Sequence, residues 1–184
     1  MLALVTGGSG SGKSAWAEDL VLSLGEGRRI YIATMYPFDE ESHRRIERHR
    51  KMRAGKGFET VECYTGLASL EIGEDSVVLL ECMSNLTANE MFQENGAGEH
   101  TVSAVLKGVE HLRKKARHVV IVTNEIFSDA FPYEAETVRY QEYLGKINQE
   151  IGAVADLVTE VVYGIPVYHK DQRGRESEKV DIVS

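Results

Sequence analysis

The chain has 184 residues, of which 42% are hydrophobic and 27% are charged, and its formal net charge is −8. These values are typical of one soluble globular domain that buries a core without disulfide support. The acidic balance argues against nucleic-acid binding, and no apolar run approaches the roughly 18 residues of a membrane span. The sequence shows no basic leader segment, and we predict a cytoplasmic protein. We predict that its two cysteines, Cys63 and Cys82, are reduced core residues.

The first predicted element is a short apolar strand, Leu2–Thr6, which leads into the segment TGGSGSGKS. This segment fits the phosphate-binding pattern G-x-x-x-x-G-K-[ST], and the helical run AWAEDLVLSL follows it. In such a loop the backbone N–H groups turn toward phosphate oxygens, Lys13 reaches the β- and γ-phosphates, and the Ser14 hydroxyl ligates Mg²⁺. A flexible Gly/Ser linker, the alternative, would not end in Gly-Lys-Ser between a strand and an amphipathic helix. The residues predicted to hold a triphosphate are Gly7, Gly8, Ser9, Gly10, Ser11, Gly12, Lys13 and Ser14.

Further apolar runs predict strands that alternate with helices along the chain. The predicted strands are Arg29–Thr34, Ser76–Cys82, His118–Thr123 and Leu157–Tyr163, the last of which continues into a hairpin. Apolar stripes predict helices at Thr101–Ala116 and over residues 134–154. The alternation predicts an α/β fold of the P-loop NTPase type (RecA-like), with a mostly parallel sheet flanked by helices and a C-terminal hairpin. We expect one nucleotide-binding domain over residues 1–170 and a polar tail over residues 171–184.

A highly charged segment follows the second predicted strand. Its first part is predicted to be a helix, with acidic residues at its start and basic residues at its end, as the helix dipole prefers. Arg45, His49 and Arg53 recur at every fourth position and therefore share one face. A histidine between arginines should have a lowered pKa, because like charge disfavours its protonation, and a neutral imidazole is a nucleophile. The pattern alone favours the simpler alternative, a solvated basic helix.

Several segments along the chain together carry a resemblance to a known family. LVTGGSGSGKSAWAE, YIAT, RHRKMR, TVE, LLEC and VTNE occur in an order and spacing that resembles the bifunctional adenosylcobinamide kinase / adenosylcobinamide-phosphate guanylyltransferase family of cobalamin biosynthesis. The resemblance extends from Met1 to about Lys170. In that family the histidine of an H-R-x-x-R pattern is guanylylated, and the pattern falls here on His49, Arg50 and Arg53. The resemblance therefore implies that His49 is the nucleophile.

The resemblance implies two reactions on a corrinoid substrate. ATP or GTP would phosphorylate the hydroxyl of the aminopropanol arm of adenosylcobinamide, and His49 would then attack the α-phosphorus of GTP and release pyrophosphate. The substrate phosphate would next take GMP from the imidazole to give adenosylcobinamide-GDP, with Mg²⁺ neutralising the developing charge. The resemblance also implies a homo-oligomer, specifically a trimer.

Acidic residues at predicted strand ends complete the candidate site. Glu81 ends the run VVLLE, at the edge of a parallel sheet where it can orient Mg²⁺; the alternative is an edge acid without a role. Glu62 resembles a guanosine contact of the family, and a carboxylate can accept both N–H groups of guanine's edge. Asn124 and Glu125 end the fourth strand beside the same crevice. The implied nucleotide contacts outside the loop are Ala33, Thr34, Met35, Arg50, Lys51, Met52, Arg53, Glu62 and Glu81, with Ser14 and Glu81 at the metal.

The chain departs from the family pattern in two places. Ala54 stands where the family has proline, and in the following GKGF the aromatic Phe58 replaces a tryptophan. After Asn124 and Glu125, the loop 126–131 lacks the family glycines, so an enzyme with only one of the two activities is a second interpretation. A regulatory protein that uses GTP hydrolysis as a switch is a third. That interpretation lacks an Asn-Lys-x-Asp motif and leaves His49 unexplained.

Overall fold

The computed structural model describes residues 1–126 and 134–173, which form one sheet with helices on both faces. Within these ranges the strands are β1 (Leu2–Thr6), β2 (Arg28–Ala33), β3 (Phe58–Glu62), β4 (Ser76–Glu81), β5 (His118–Val122), β6 (Leu157–Val162) and β7 (Ile165–Asp171). The helices are α1 (Lys13–Ser23), α2 (Glu40–Arg53), α3 (Met83–Phe92), α4 (Thr101–Lys115) and α5 (Ala135–Val154), and 3₁₀ turns lie at Leu67–Ser69 and Gly98–His100. The predicted α/β class and C-terminal hairpin are confirmed.

The described part of the sheet has the strand order β3-β2-β4-β5-β1-β6-β7, and only the β6–β7 pair is antiparallel. The parallel register places Ala33 opposite both Glu62 and Glu81, and Glu81 opposite Val122. In the next pairing Val122 lies opposite Val5, two residues before the phosphate loop. Glu62, Glu81 and the phosphate loop therefore lie at the same edge of the sheet, where the parallel strands have their carboxyl ends.

The core has two halves, one on each face of the sheet. Leu2 and Leu4 of β1 pack in the half formed with α3, α4 and α5, whereas Ala3 and Val5 pack in the half formed with α1. Burial on both faces explains why the central strands are continuous apolar runs rather than alternating ones. In residues 1–126 and 134–173, no helix combines the length and the apolar content that a membrane crossing requires.

The structure differs from the sequence prediction in a few elements. Strand β3 and helix α3 were not predicted, and the other boundaries agree to within a residue or two. Strand β7 continues to Asp171, past the start of the predicted tail, and residues 174–184 of that tail lie outside the described residues. Residues 127–133, which hold most of the altered loop 126–131, also lie outside them.

Candidate active site

The phosphate loop joins β1 to α1 and depends on glycine at two positions. A Cβ at Gly7 would lie 2.6 Å from both the Ser11 Oγ and the Val161 backbone oxygen. Gly12 caps the N terminus of α1 with a φ of 90°, in the left-handed region that favours glycine. The β6–β7 turn supports the loop, because the Gly164 N–H donates to the Ser11 carbonyl at 2.8 Å. The loop therefore presents the N terminus of α1, whose N–H groups are suited to bind a phosphate.

Lys13 is held against the backbone of this loop. Its side chain is only 8% exposed, and its Nζ donates to the Gly8 carbonyl at 3.0 Å. Burial lowers the pKa of Lys13, and the cation of Arg45 lowers it further, while the negative charge of Glu81 opposes the change. The structure thus places the lysine at the phosphate loop, as the motif predicts.

Glu81 connects the phosphate loop to α2. The Ser14 hydroxyl donates to Glu81 Oε1 at 2.5 Å, and the Nδ1 of His49 lies 3.7 Å from the same oxygen. The remaining oxygen, Oε2, is buried and has no hydrogen-bond partner among the described residues. A single carboxylate therefore lies between the predicted nucleophile and the loop.

The same pair of residues fits Mg²⁺. A serine hydroxyl next to a buried carboxylate with an unpartnered oxygen is a suitable oxygen donor set for this cation, which takes its other ligands from phosphate and water. Among residues 1–126 and 134–173, no cluster of three or more His, Cys, Asp or Glu side chains could hold a metal by itself. Ser14 and Glu81 are thus suited to a metal that arrives with a nucleotide.

His49 lies in an environment that favours its neutral form. Its side chain is 20% exposed, and burial is the main reason that its pKa is lowered. The charge of Glu81 opposes this change, whereas Arg53, Arg48 and Arg45 add to it. The predicted direction of the pKa shift is confirmed, but burial rather than the flanking arginines is its largest cause. A neutral imidazole retains the lone pair that nucleophilic attack requires.

The basic residues of α2 divide into a buried and an exposed group. Arg53 is 6% exposed, and its guanidinium carbon lies 3.3 Å from the centroid of the Tyr31 ring. Arg50 crosses to β3 and donates to Glu62 at 3.3 Å. Lys51 is exposed to solvent, and the Met52 side chain lies outside the described atoms. The alternative of a solvated basic helix therefore holds for part of α2 but not for the face with His49 and Arg53.

Glu62 lies at the end of β3 beside an aromatic pair. The Tyr64 hydroxyl donates to Glu62 Oε2 at 2.9 Å, and the Tyr64 and Tyr36 ring centroids are 5.0 Å apart. These three residues and Gln93 line a cavity of about 400 Å³. The Nε2 of Gln93 is buried without a hydrogen-bond partner among the described residues. The predicted guanosine contact is thus at the edge of a cavity with aromatic and polar walls.

The Thr34 hydroxyl of the predicted Ala33-Thr34-Met35 segment is used in contacts with the backbone of Cys82. This hydroxyl donates to the Cys82 carbonyl at 2.8 Å and accepts from the Cys82 N–H at 2.7 Å. Asn89 donates to the Thr34 carbonyl at 2.8 Å. Thr34 therefore joins the ends of β2 and β4, and the half-buried Ala33 and Met35 flank it.

A polar network around Ser84 is not evident from the sequence. Asn124 donates to the Ser84 Oγ at 2.7 Å, and the Cys82 Sγ lies 2.7 Å from the same oxygen. The Tyr140 hydroxyl donates to the Ser84 carbonyl at 3.2 Å. Burial raises the pKa of the Cys82 thiol, so this thiol is neutral, and both cysteines are buried and free as predicted. The network links the ends of β4 and β5 to α5, and only Asn124 had a sequence signal.

A strand, a glycine-rich phosphate loop and a helix at the carboxyl edge of a parallel sheet define a P-loop nucleotide-binding protein. The family model described as cobinamide kinase / cobinamide phosphate guanyltransferase matches residues 3–168. The chain belongs to this family of transferases. The resemblance that the sequence motifs indicate is therefore confirmed over most of the chain.

Two similar proteins are both named bifunctional adenosylcobalamin biosynthesis protein CobU. The one from Escherichia coli strain K12 is 34% identical over 182 residues, which covers 91% of this chain and 98% of that protein. The one from Salmonella typhimurium strain LT2 is 32% identical over 182 residues, with the same coverage of 91% and 98%. Among solved structures, the flagellar accessory protein FlaH from Methanocaldococcus jannaschii matches with a TM-score of 0.48 and 14% identity, over 97% of this chain and 82% of that one.

Proposed function

We propose that this protein phosphorylates adenosylcobinamide with ATP or GTP and then transfers GMP from GTP, through a guanylylated His49, to give adenosylcobinamide-GDP. The observation that carries the proposal is the shared carboxylate of Glu81, which contacts Ser14 at 2.5 Å and lies 3.7 Å from His49. A triphosphate held by the phosphate loop would then lie next to a partly buried, neutral imidazole. Membership of the cobinamide kinase / cobinamide phosphate guanyltransferase family supports the corrinoid substrate.

In the guanylyltransferase step, His49 would act as the nucleophile. Its Nδ1 faces Glu81, which leaves Nε2 as the attacking atom and puts a negative charge beside the imidazolium that develops. The Nε2 lone pair forms a bond to the α-phosphorus of GTP, and the bond from that phosphorus to the bridging oxygen breaks as pyrophosphate leaves. The phosphate of the substrate then attacks the same phosphorus, and the N–P bond breaks to return the neutral imidazole.

In the kinase step, the phosphate loop would hold the donor triphosphate. Lys13 would neutralise charge on the β- and γ-phosphates, and the N terminus of α1 would donate hydrogen bonds to them. Ser14 and Glu81 would hold Mg²⁺, which supplies charge neutralisation at the phosphates when bound. The substrate hydroxyl oxygen forms a bond to the γ-phosphorus, its proton passes to solvent, and the bond from that phosphorus to the β–γ bridging oxygen breaks as the nucleoside diphosphate leaves. This step does not require His49.

Other residues would recognise the nucleotide. Glu62 would accept the N–H groups of guanine at the edge of the 400 Å³ cavity. Arg50 and Arg53 would bind phosphate, and the Nη1 of Arg53 is a buried donor without a hydrogen-bond partner among the described residues. The remaining contacts that we propose are those of Ala33, Thr34, Met35, Lys51 and Met52.

We further propose that the protein is a homo-oligomer, with the trimer implied by the resemblance as the specific hypothesis. The outer strand β7 and its turn expose Tyr163, Ile165, Val167 and Tyr168, and an unpaired strand edge with apolar side chains is suited to contact another copy. Analytical ultracentrifugation of the full chain measures the state directly. A monomer at micromolar concentration contradicts this hypothesis without affecting the proposed chemistry.

The proposed function is tested by incubating the protein with GTP and Mg²⁺ and measuring its intact mass. We expect a covalent adduct of the mass of GMP that is labile in acid and stable in base, as a phosphoramidate is. Transfer of labelled γ-phosphate to adenosylcobinamide tests the kinase step separately, so an enzyme with one activity is distinguished from one with two. A regulatory GTPase would release inorganic phosphate and form no adduct.

A further inference from the structure

Helix α2 carries His49 but has almost no apolar surface with which to pack. Of its 14 residues, EESHRRIERHRKMR, only Ile46 and Met52 are apolar. Helices in globular proteins are normally positioned by an apolar stripe, as α4 is by Val105, Val109 and Leu112, which are all buried. We therefore expect polar contacts to contribute to the position of α2.

The best-defined of these contacts is a partly buried ion pair between the turn after α2 and helix α1, in which the Lys56 side chain is 29% exposed. Glu18 of α1 is 0% exposed, and the Nζ of Lys56 donates to its Oε2 at 2.6 Å. Glu18 Oε1 is also buried and has no hydrogen-bond partner among the described residues. Lys56 is thus the counter-ion of a carboxylate that lies fully inside the protein.

The backbone of Lys56 is fixed as firmly as its side chain. Its N–H donates to the Arg53 carbonyl at 3.0 Å, which ties Lys56 to the last residue of α2. The Nη1 of Arg29 donates to the Lys56 carbonyl at 3.5 Å, which ties it to β2. Through Lys56, the end of α2 is therefore connected to α1, one helical turn after Ser14.

We propose that Glu18 and Lys56 are positioning residues that hold His49 against Glu81 and the phosphate loop. Glu18 belongs to the same helix as Lys13 and Ser14. The ion pair therefore fixes the distance between the phosphate loop and helix α2. The inference rests on the proposed function only for the identity of the reaction that His49 performs.

Stability alone does not account for this pair. Removing water from two charges offsets much of their attraction, and replacing a buried ion pair by neutral side chains of similar size is often neutral or stabilising. What such a pair supplies is a defined geometry, because the ammonium and the carboxylate must meet at one position. A misplacement of about 1 Å in a catalytic group can reduce a rate by roughly a hundredfold.

The test compares three variants with one control. Lys56→Met leaves Glu18 buried and unpaired, Glu18→Gln with Lys56→Met replaces both charges by neutral groups of similar volume, and Lys56→Arg keeps the charge. Lys114→Met is the matched control, because it removes an exposed lysine from an ion pair with Glu110 that lies on the other side of the sheet. For each protein the melting temperature, the Kd for GTP, the single-turnover rate of GMP adduct formation and the pKa of His49 by NMR are measured.

We expect the double variant to melt near the wild-type temperature and to bind GTP within about twofold of wild type, while adduct formation is about tenfold to a hundredfold slower. The pKa of His49 should rise toward its ordinary value as the imidazole loses its buried position. Lys56→Arg should restore most of the rate, and Lys114→Met should match wild type in every measurement.

Two outcomes overturn the inference or the proposed function separately. A double variant with the wild-type adduct rate and an unchanged His49 pKa means that the pair only packs, and the inference is then wrong. If the wild-type protein forms no adduct, the proposed function is wrong, and the His49 pKa of the double variant still decides whether the pair positions this residue.

Discussion

The phosphate loop and helix α2 carry the two halves of the candidate active site, and different forces hold them in place. The loop is fixed by its apolar flanks, because Val5 before it and Ala17 and Val21 after it are fully buried. Helix α2 is fixed by charge, through Arg53 over the Tyr31 ring and through the Lys56–Glu18 pair that follows the helix.

One site therefore combines an anion-binding loop held by apolar packing with a nucleophile on a helix held by charged contacts. Apolar packing involves no ionisable group, whereas the polar contacts of α2 depend on ionisation states and, where exposed, on ionic strength. Glu81 lies between the two halves, at the end of β4. Variants on either side of Glu81 should therefore separate binding of the triphosphate from transfer of GMP.

The largest expected effect is the complete loss of the GMP adduct in His49→Ala. The imidazole supplies the nitrogen that forms the covalent bond to GMP in our proposal, and alanine has no group that can form it. GTP binding should remain largely intact because the loop folds with β1 and α1, and kinase activity should survive in part. Incorporation of labelled GMP, measured alongside equilibrium GTP binding, checks both statements.

His43→Ala is the matched control for this variant. His43 lies on the same helix two turns earlier and is exposed to solvent, so its removal should leave the adduct intact. If the His49→Ala protein still takes up labelled GMP, or if only the His43→Ala protein loses it, His49 is not the nucleophile.

Lys13→Ala should reduce both half-reactions, by about a hundredfold to a thousandfold, because both need a held triphosphate whose charge is neutralised. Initial rates of γ-phosphate transfer and of GMP adduct formation measure the two effects. Lys107→Ala, at an exposed position of α4, serves as the control and should keep both rates. A wild-type rate in either half-reaction of Lys13→Ala would contradict the idea of one shared loop.

Much of the fold follows from the sequence because the central strands are buried on both faces. Continuous apolar runs such as Ser76–Glu81 are visible without any structure, and the loop motif fixes the direction of the first strand and helix. Strand β3 was missed because it is a mostly exposed edge strand, FETVE, without an apolar run. Helix α3 was missed because it begins directly after β4, with no polar linker between them.

The candidate site was only partly predictable, for a different physical reason. Alternation and motifs place Ser14 and Glu81 at the carboxyl edge of the sheet, but the pattern of α2 alone favours a solvated helix. What buries His49 and Arg53 is their contact with Glu81 and Tyr31, which a local pattern does not contain. The same holds for Glu18 and Lys56, which lie 38 positions apart in the chain.

Glu62, at the end of β3, accepts a hydrogen bond from Arg50 of α2, and we expect Glu62→Gln to have a moderate effect on base selectivity. Losing a charged acceptor for the guanine edge costs about 1.5–3 kcal/mol, which corresponds to about a tenfold to a hundredfold loss of preference for GTP over ATP in adduct formation. Because Glu62 is half exposed, the lower end of this range is expected.

The measurement for this variant is the ratio of kcat/KM for adduct formation with GTP and with ATP. Tyr64→Phe is the matched control, since it removes only the hydroxyl that donates to Glu62 and keeps the ring next to Tyr36. It should change the ratio less than Glu62→Gln does. An unchanged ratio in Glu62→Gln would remove this residue from base recognition.

The smallest expected effect is the change of the wild-type adduct rate between pH 6.5 and pH 8. The pKa of His49 is lowered below its ordinary value of 6.5, chiefly by burial, so more than half of the imidazole is neutral at pH 6.5. The rate should therefore vary by less than about twofold over this range and should fall only at lower pH. Arg48→Gln removes a cation that adds to the shift, so it should move the acid limb of the profile slightly toward pH 6.5. Single-turnover rates from pH 5 to pH 9 measure both profiles. If the acid limb of the wild-type protein is centred at or above pH 6.5, the pKa of His49 is not lowered, and the neutral form that the proposed attack requires is not favoured.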